Sequence, residues 1–200
     1  MKRNTKKAWK QTVLLMLTIT VVFIMLSVLT NRPNEQPIVH HAVLTYKPTV
    51  EKYAKVYDVE DYVDIILAMM MQESGGRGND PMQSSESYCG SIGCIQDPEL
   101  SIKQGVYYFS ETLKEANYDL KLAIQSYNFG KGFIQYVKDT GEQFNQEVAI
   151  EFSRKMYQNA KDPSIYSCLR KEAKQYNACY GDIYYVQSVM RYADEMTEEE

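Results

Sequence analysis

Residues 59–76 read Val59-Glu60-Asp61-Tyr62-Val63-Asp64-Ile65-Ile66-Leu67-Ala68-Met69-Met70-Met71-Gln72-Glu73-Ser74-Gly75-Gly76. Val59, Val63, Ile66 and Met70 recur at three- and four-residue steps, the spacing that lines one face of an α-helix. One more turn brings this stripe to Glu73, and the paired glycines Gly75 and Gly76 then stop the helix. Asp58 is placed to cap its start, with Glu60 and Asp61 in the first turn. The pattern predicts a carboxyl group carried along an apolar face and left at the helix end. Desolvation and the negative end of the helix dipole both raise the pKa of such a group. A carboxylic acid still protonated near neutral pH is suited to general acid catalysis. A last-turn glutamate facing water is the ordinary alternative, and the rest of the chain must decide between the two. The Met69-Met70-Met71 run predicts core packing.

Outward from this helix, the pattern is helical from Thr49 onward, while residues 75–96 are rich in Gly, Ser and Asn and predict loop with a small hairpin. Asp97-Pro98-Glu99 starts a helix with proline at its first position, running to about Ala116. Asp119 caps a short helix through Ala123, Ile124 and Tyr127, interrupted by Asn128-Phe129-Gly130. Further helices are expected near 131–138, 145–160 and 183–196. Pro33, Pro37 and Pro48 mark residues 31–48 as an extended stalk. The domain plan is therefore a basic tail at 1–11, a transmembrane signal anchor at 12–30, the stalk at 31–48, and a helical catalytic domain at 49–200.

The anchor expectation rests on Val13 to Leu29, an uncharged stretch in which Thr18, Thr20 and Ser27 are the polar residues. It sits near the roughly 20 residues of a spanning helix. Lys2, Arg3, Lys6, Lys7 and Lys10 precede it, which orients the tail toward the cytoplasm and the domain outside. A single-pass cell-membrane protein with an extracellular domain is expected, the alternative being secretion after signal-peptide cleavage.

The chain has 22 Lys plus Arg and 26 Asp plus Glu; without the five tail cations, 17 face 26, a net charge of −9. Such a domain does not suit nucleic acid, which needs clustered cations. A polymeric ligand must then be held by shape, hydrogen bonds and stacking, for which the 17 tyrosines are suited. The single tryptophan, Trp9, lies in the tail. Cys89, Cys94, Cys168 and Cys179 predict two disulfides outside the cell; three pairings are possible, and proximity favours Cys89–Cys94 and Cys168–Cys179. Their spacing fits zinc poorly. His40 and His41, the two histidines, fall in the expected stalk, which disfavours zinc amidase, Cys–His and Ser–His–Asp chemistry. Carboxylate chemistry or no chemistry remains, with no metal or cofactor.

Three segments now stand in order: Gln72-Glu73-Ser74-Gly75-Gly76, Pro81-Met82-Gln83-Ser84, and Ala123-Ile124-Gln125-Ser126-Tyr127-Asn128-Phe129-Gly130. Together they resemble the goose-type lysozyme and soluble lytic transglycosylase superfamily. The nearer resemblance is to a bacterial lysozyme-like family found in conjugative-element cell-wall hydrolases and pneumococcal vaccine antigen A. Ser84-Ser85-Glu86-Ser87, Ser101-Ile102-Lys103-Gln104-Gly105-Val106 and Gly181-Asp182-Ile183-Tyr184-Tyr185-Val186 extend it, over about Tyr53 to Tyr192.

The resemblance implies a mainly α, lysozyme-like (goose-type) domain that cleaves the β-1,4 bond between N-acetylmuramic acid and N-acetylglucosamine in peptidoglycan. It implies Glu73 as proton donor, with Ser74, Gln83, Tyr127 and Asn128 contacting substrate. Ser74 and Asn128 each have a structural alternative, satisfying backbone groups at a helix end. A hydrolase also needs a second carboxylate, for which Asp80 and Glu86 are the candidates. Without one, the sugar 6-hydroxyl attacks and a lytic transglycosylase results. Three roles are open: muramidase, wall-binding scaffold, or wall-opening factor for a secretion or conjugation machine.

Overall fold

The stretch Ile66-Leu67-Ala68-Met69-Met70 is buried on every side, so the helix that carries it runs through the centre of the fold, with no face left to solvent. The structure, a computed structural model, describes Trp9, residues 13–23, Met25 and residues 41–197. The chain divides into two units, Met1–Ile38 and Val39–Glu200.

The second unit is built from α1 (His41–Leu44), α2 (Lys47–Val56), α3 (Val63–Glu73), α4 (Ser85–Cys89), α5 (Pro98–Glu115), α6 (Leu120–Phe129), α7 (Gly132–Thr140), α8 (Gln146–Asn159), α9 (Lys171–Gln175) and α10 (Tyr185–Thr197). Short 3-10 turns lie at Glu60–Tyr62 and Pro163–Ile165. The broadest helix contact is between α3 and α10; α3 also meets α1 and α2, while α6 packs on α5, α7 and α10. Phe109, Phe129, Phe133 and Tyr185 are the largest aromatic rings sealed inside.

Capping agrees with sequence chemistry at three helix starts. The Asp97 carboxylate accepts from the amides of Glu99 and Leu100, that of Asp119 from Leu122, and the Asn145 side chain from Val148. Asp58 does not cap α3. Its backbone is left-handed at φ 58°, and the 3-10 turn that follows buries Val59 before α3 begins. Residues 41–48, expected as stalk, instead form α1 and the start of α2; Val43 is fully buried. Gly76, at φ +72°, explains the fit: a Cβ there would lie 3.0 Å from the Val43 amide nitrogen, so only glycine lets α1 close over the end of α3.

Two further expectations are corrected. The 75–96 region contains no strand among the described residues; in place of a hairpin it forms α4. The cause is Asp80, whose carboxylate accepts the Ser84 and Ser85 amides and so organises a helix start where a ladder would otherwise be needed. The transmembrane helix at 12–30 is also overturned, since among the described residues no helix is long and apolar enough to cross a membrane. The described residues of that segment, 13–23 and Met25, are helical. Residues 24 and 26–40, and with them the rest of the expected span and stalk, lie outside the described residues.

The 80s loop is pressed directly onto α5. A Cβ at Gly105 would stand 2.7 Å from the Met82 Cβ, and Met82 is fully buried. Gly105→Ala is therefore expected to displace this loop and cost about 1–3 kcal/mol, measurable as a drop of several degrees in the calorimetric midpoint. An unchanged midpoint would mean that the contact is slack.

Candidate active site

Because α3 is buried from Ile66 to Met71, its last residue emerges inside the protein rather than on an outer face. Glu73 is half-buried there and lines a cavity of about 440 Å³. Its Oε1 accepts a 2.6 Å hydrogen bond from the Tyr185 hydroxyl at the start of α10. Its Oε2 has no protein partner among the described residues. Burial pushes the carboxyl up to about 7; the Tyr185 bond opposes the rise, while the negative charges of Asp80 and Asp182 add to it. A carboxyl in this state holds its proton near neutrality and can give it to a basic oxygen entering the cavity.

Gln83, Glu86, Tyr127 and Asn128 line the same cavity, so the structure brings five of the sequence candidates together. Gln83 is exposed, adopts a left-handed backbone at φ 50°, and its side chain has no hydrogen-bond partner among the described residues. It is free to bond a ligand. Tyr127 is committed: its hydroxyl donates to the Met82 carbonyl at 2.9 Å, holding down the loop that presents Gln83. Asn128 is half committed, with Oδ1 accepting from the Asp182 amide at 2.7 Å and the amide NH₂ left over.

Ser74 and Asp80 do not line the cavity. The Ser74 hydroxyl donates to the Pro81 carbonyl at 2.7 Å and accepts from the Arg77 amide at 3.1 Å, the structural alternative foreseen for it. Asp80 receives the Ser85 and Ser101 hydroxyls at 2.6 Å each, besides the two amides that start α4. Burial alone would raise its pKa, but these donors outweigh burial and hold it below the ordinary carboxylate range. Saturated in this way, it organises the loop and has little capacity left to activate water. Glu86 is exposed and carries the other carboxylate on the cavity wall.

Several wall residues carry no signal along the chain that marks them for the site. Tyr108 and Tyr180 supply aromatic surface, and Ile92 projects from the loop closed by the Cys89–Cys94 disulfide with 82% of its surface exposed. Tyr185 falls within a segment that carried the resemblance, yet nothing local marks it as the partner of Glu73, 112 residues away. The second disulfide joins Cys168 and Cys179. His41 opens α1, is exposed, and is absent from the cavity wall.

A family model described as lysozyme-like matches residues 40–193. Over 160 residues the chain is 41% identical to the uncharacterized membrane protein YocA of Bacillus subtilis, covering 78% of this chain and 70% of that one. Over 147 residues it is 42% identical to the bifunctional muramidase/DL-endopeptidase CwlT of the same organism, covering 74% of this chain and 40% of CwlT. The pneumococcal vaccine antigen A homolog of Streptococcus pyogenes serotype M1 is 40% identical over 123 residues, 58% of this chain and 62% of that protein. The crystal structure of a lipoprotein-like protein of the NLP/P60 family from Staphylococcus aureus superposes with a TM-score of 0.66 at 42% identity, covering 76% of this chain and 52% of the other.

Two outcomes follow from the Glu73 environment. Tyr185→Phe removes a bond that favours the carboxylate, so Glu73 should titrate about one pH unit higher in carbon-detected NMR; a lower midpoint would reverse the assigned role. Folded Glu73 ionises near 7 and unfolded near 4.5, so the folded chain binds the extra proton and stability falls as pH rises between those values. Glu73→Gln should abolish that fall and be the more stable protein at pH 8, by up to about 3 kcal/mol in denaturant titrations.

Proposed function

The chain belongs to the lysozyme-like family, and on that premise we propose that it cleaves the β-1,4 bond between N-acetylmuramic acid and N-acetylglucosamine in peptidoglycan, with Glu73 as general acid. The observation that carries this reading is a carboxyl held protonated near neutrality on the wall of a glycan-sized cavity. Acetal cleavage needs a proton for the departing oxygen, oriented hydrogen bonds and stacking surface. Glu73 supplies the first through its open Oε2. Gln83 and the NH₂ of Asn128 supply donors for sugar hydroxyl or N-acetyl groups, and Tyr108 and Tyr180 supply surface for the apolar sugar faces. Tyr127 acts by holding the Gln83 loop through Met82. The muramidase named among the relatives supports a cell-wall substrate, and two disulfides support action outside the cytoplasm.

The second step separates two enzymes. In the hydrolytic reading Glu86 is the base, because Asp80 is consumed by its serine and amide donors. That same consumption favours a second reading, a lytic transglycosylase in which the sugar 6-hydroxyl attacks and no base carboxylate is needed.

Mass spectrometry of muropeptides released by the purified protein is the deciding experiment, since an anhydro end is one water lighter than a hydrolysed one. Glu73→Gln is expected to remove all release. Glu86→Gln should do so only if water is the acceptor. Full release by Glu73→Gln would assign the acid to another residue, whereas wall binding without release by the unmodified chain would replace the enzyme with a wall-binding scaffold.

A further inference from the structure

Asp182 is a carboxylate with 4% of its surface exposed, and it lies outside the cavity wall. Arg170, the residue before α9, grips it as a fork: Nε donates to Oδ1 and Nη2 to Oδ2, both at 2.7 Å. The second Nη2 bond goes to the Ser188 hydroxyl on α10, again at 2.7 Å. Oδ1 also accepts the Tyr184 amide at 2.9 Å, and Oδ2 faces the Gln72 side chain at 3.5 Å. The main chain of Asp182 is equally engaged. Its amide donates to Asn128 on α6, and its carbonyl accepts from the buried Gln125 of the same helix.

These contacts converge on Glu73. Gln72 precedes it on α3, Asn128 shares its cavity, and three residues beyond Asp182 the Tyr185 hydroxyl rests on its Oε1. Arg170 is delivered by a segment whose Cys168 is bonded to Cys179, itself three residues before Asp182, so one disulfide clasps both halves of the ion pair. We propose that Arg170 is a positioning residue for the proton on Glu73: by neutralising Asp182 it decides how much of that buried carboxylate's field reaches the neighbouring carboxyl. This rests on the reading of Glu73 as general acid for its functional meaning, though not for its physics.

The titratable groups that face Glu73 are Tyr185 on α10, Tyr127 on α6, Asp80 in the loop after α3, and Asp182 in the turn before α10. Arg170 in turn faces Asp182, Glu172 and Tyr192. The Asp182 charge favours the protonated form of Glu73, and on this proposal the opposite charge that Arg170 holds against Asp182 cancels part of it. Removing one ion or the other should therefore move the Glu73 titration in opposite directions. A merely structural clasp would move it in neither, or in the same direction for both.

The test is carbon-detected NMR titration of Glu73 in the full chain and in Arg170→Gln and Asp182→Asn, with the pH dependence of glycan cleavage recorded beside it. Arg170→Gln should raise the Glu73 midpoint and Asp182→Asn should lower it, each by about 0.5 to 1 pH unit. The alkaline limb of activity should follow the same signs. If Arg170→Gln does not fold, Asp182→Asn decides alone, because Asn keeps the acceptor oxygen and leaves behind a guanidinium that is one-third exposed. Midpoints that stay in place, or shift with one sign in both variants, overturn the proposal. The titration needs no turnover, so an inert wild-type protein would sink the enzymatic reading of Glu73 while the assignment to Arg170 is still decided.

Discussion

A helix that is apolar on every side cannot end in a charge without compensation, and α3 ends in Glu73. Ionising a carboxyl there costs desolvation energy that a single phenolic hydrogen bond from Tyr185 only partly offsets. The balance leaves the group near the midpoint of its titration at neutral pH. Much of the surrounding architecture maintains that condition. The contact of α3 with α10 sets Tyr185 against Oε1, Gly76 lets α1 close over the helix end, and the Met82 loop seals the side toward α5.

The loop between α3 and α5 shows how one acidic residue can look catalytic and serve structure. Asp80 follows Glu73 in a Gly- and Ser-rich stretch, where a second carboxylate for glycoside chemistry is naturally sought. In the fold it collects two amides and two short hydroxyl bonds, the donors that a buried anion requires. It still acts on Glu73, but through its charge at a distance. Asp182 is likewise held by donors, with a guanidinium where Asp80 has serines. The site thus contains one carboxyl whose proton is loosely held beside two that are tied down by hydrogen-bond donors.

The wall of the cavity joins parts of the chain with little in common. The Cys89–Cys94 loop contributes Ile92, α5 contributes Tyr108, α6 contributes Tyr127 and Asn128, and the segment before α10 contributes Tyr180. An acidic protein that binds a glycan has to rely on such surfaces, because neutral saccharide offers no charge to attract. The aromatic groups come from widely separated positions and meet only because α6 packs on both α5 and α10.

Sequence by itself determined whatever depends on neighbours along the chain. The Asp97-Pro98, Asp119 and Asn145 caps, the apolar run ending at Glu73 and the Gly75-Gly76 stop are local, because capping and propensity act within a turn or two. The ordered motifs also carried the lysozyme-like family, and four of the residues in them, Glu73, Gln83, Tyr127 and Asn128, meet at one cavity. Tertiary structure decided the partners of those residues. Tyr185 on Glu73, Arg170 on Asp182 and the capture of Asp80 by Ser101 join positions 12 to 112 residues apart. Their hydrogen bonds exist only after burial makes an unpaired polar group costly. Periodicity misjudged the 41–48 segment, since a turn of helix packed on a glycine leaves no amphipathic stripe to read. The expected membrane span is overturned because hydropathy registers apolar residues, whereas a span needs a helix of about 20 of them, and no helix among the described residues is long and apolar enough.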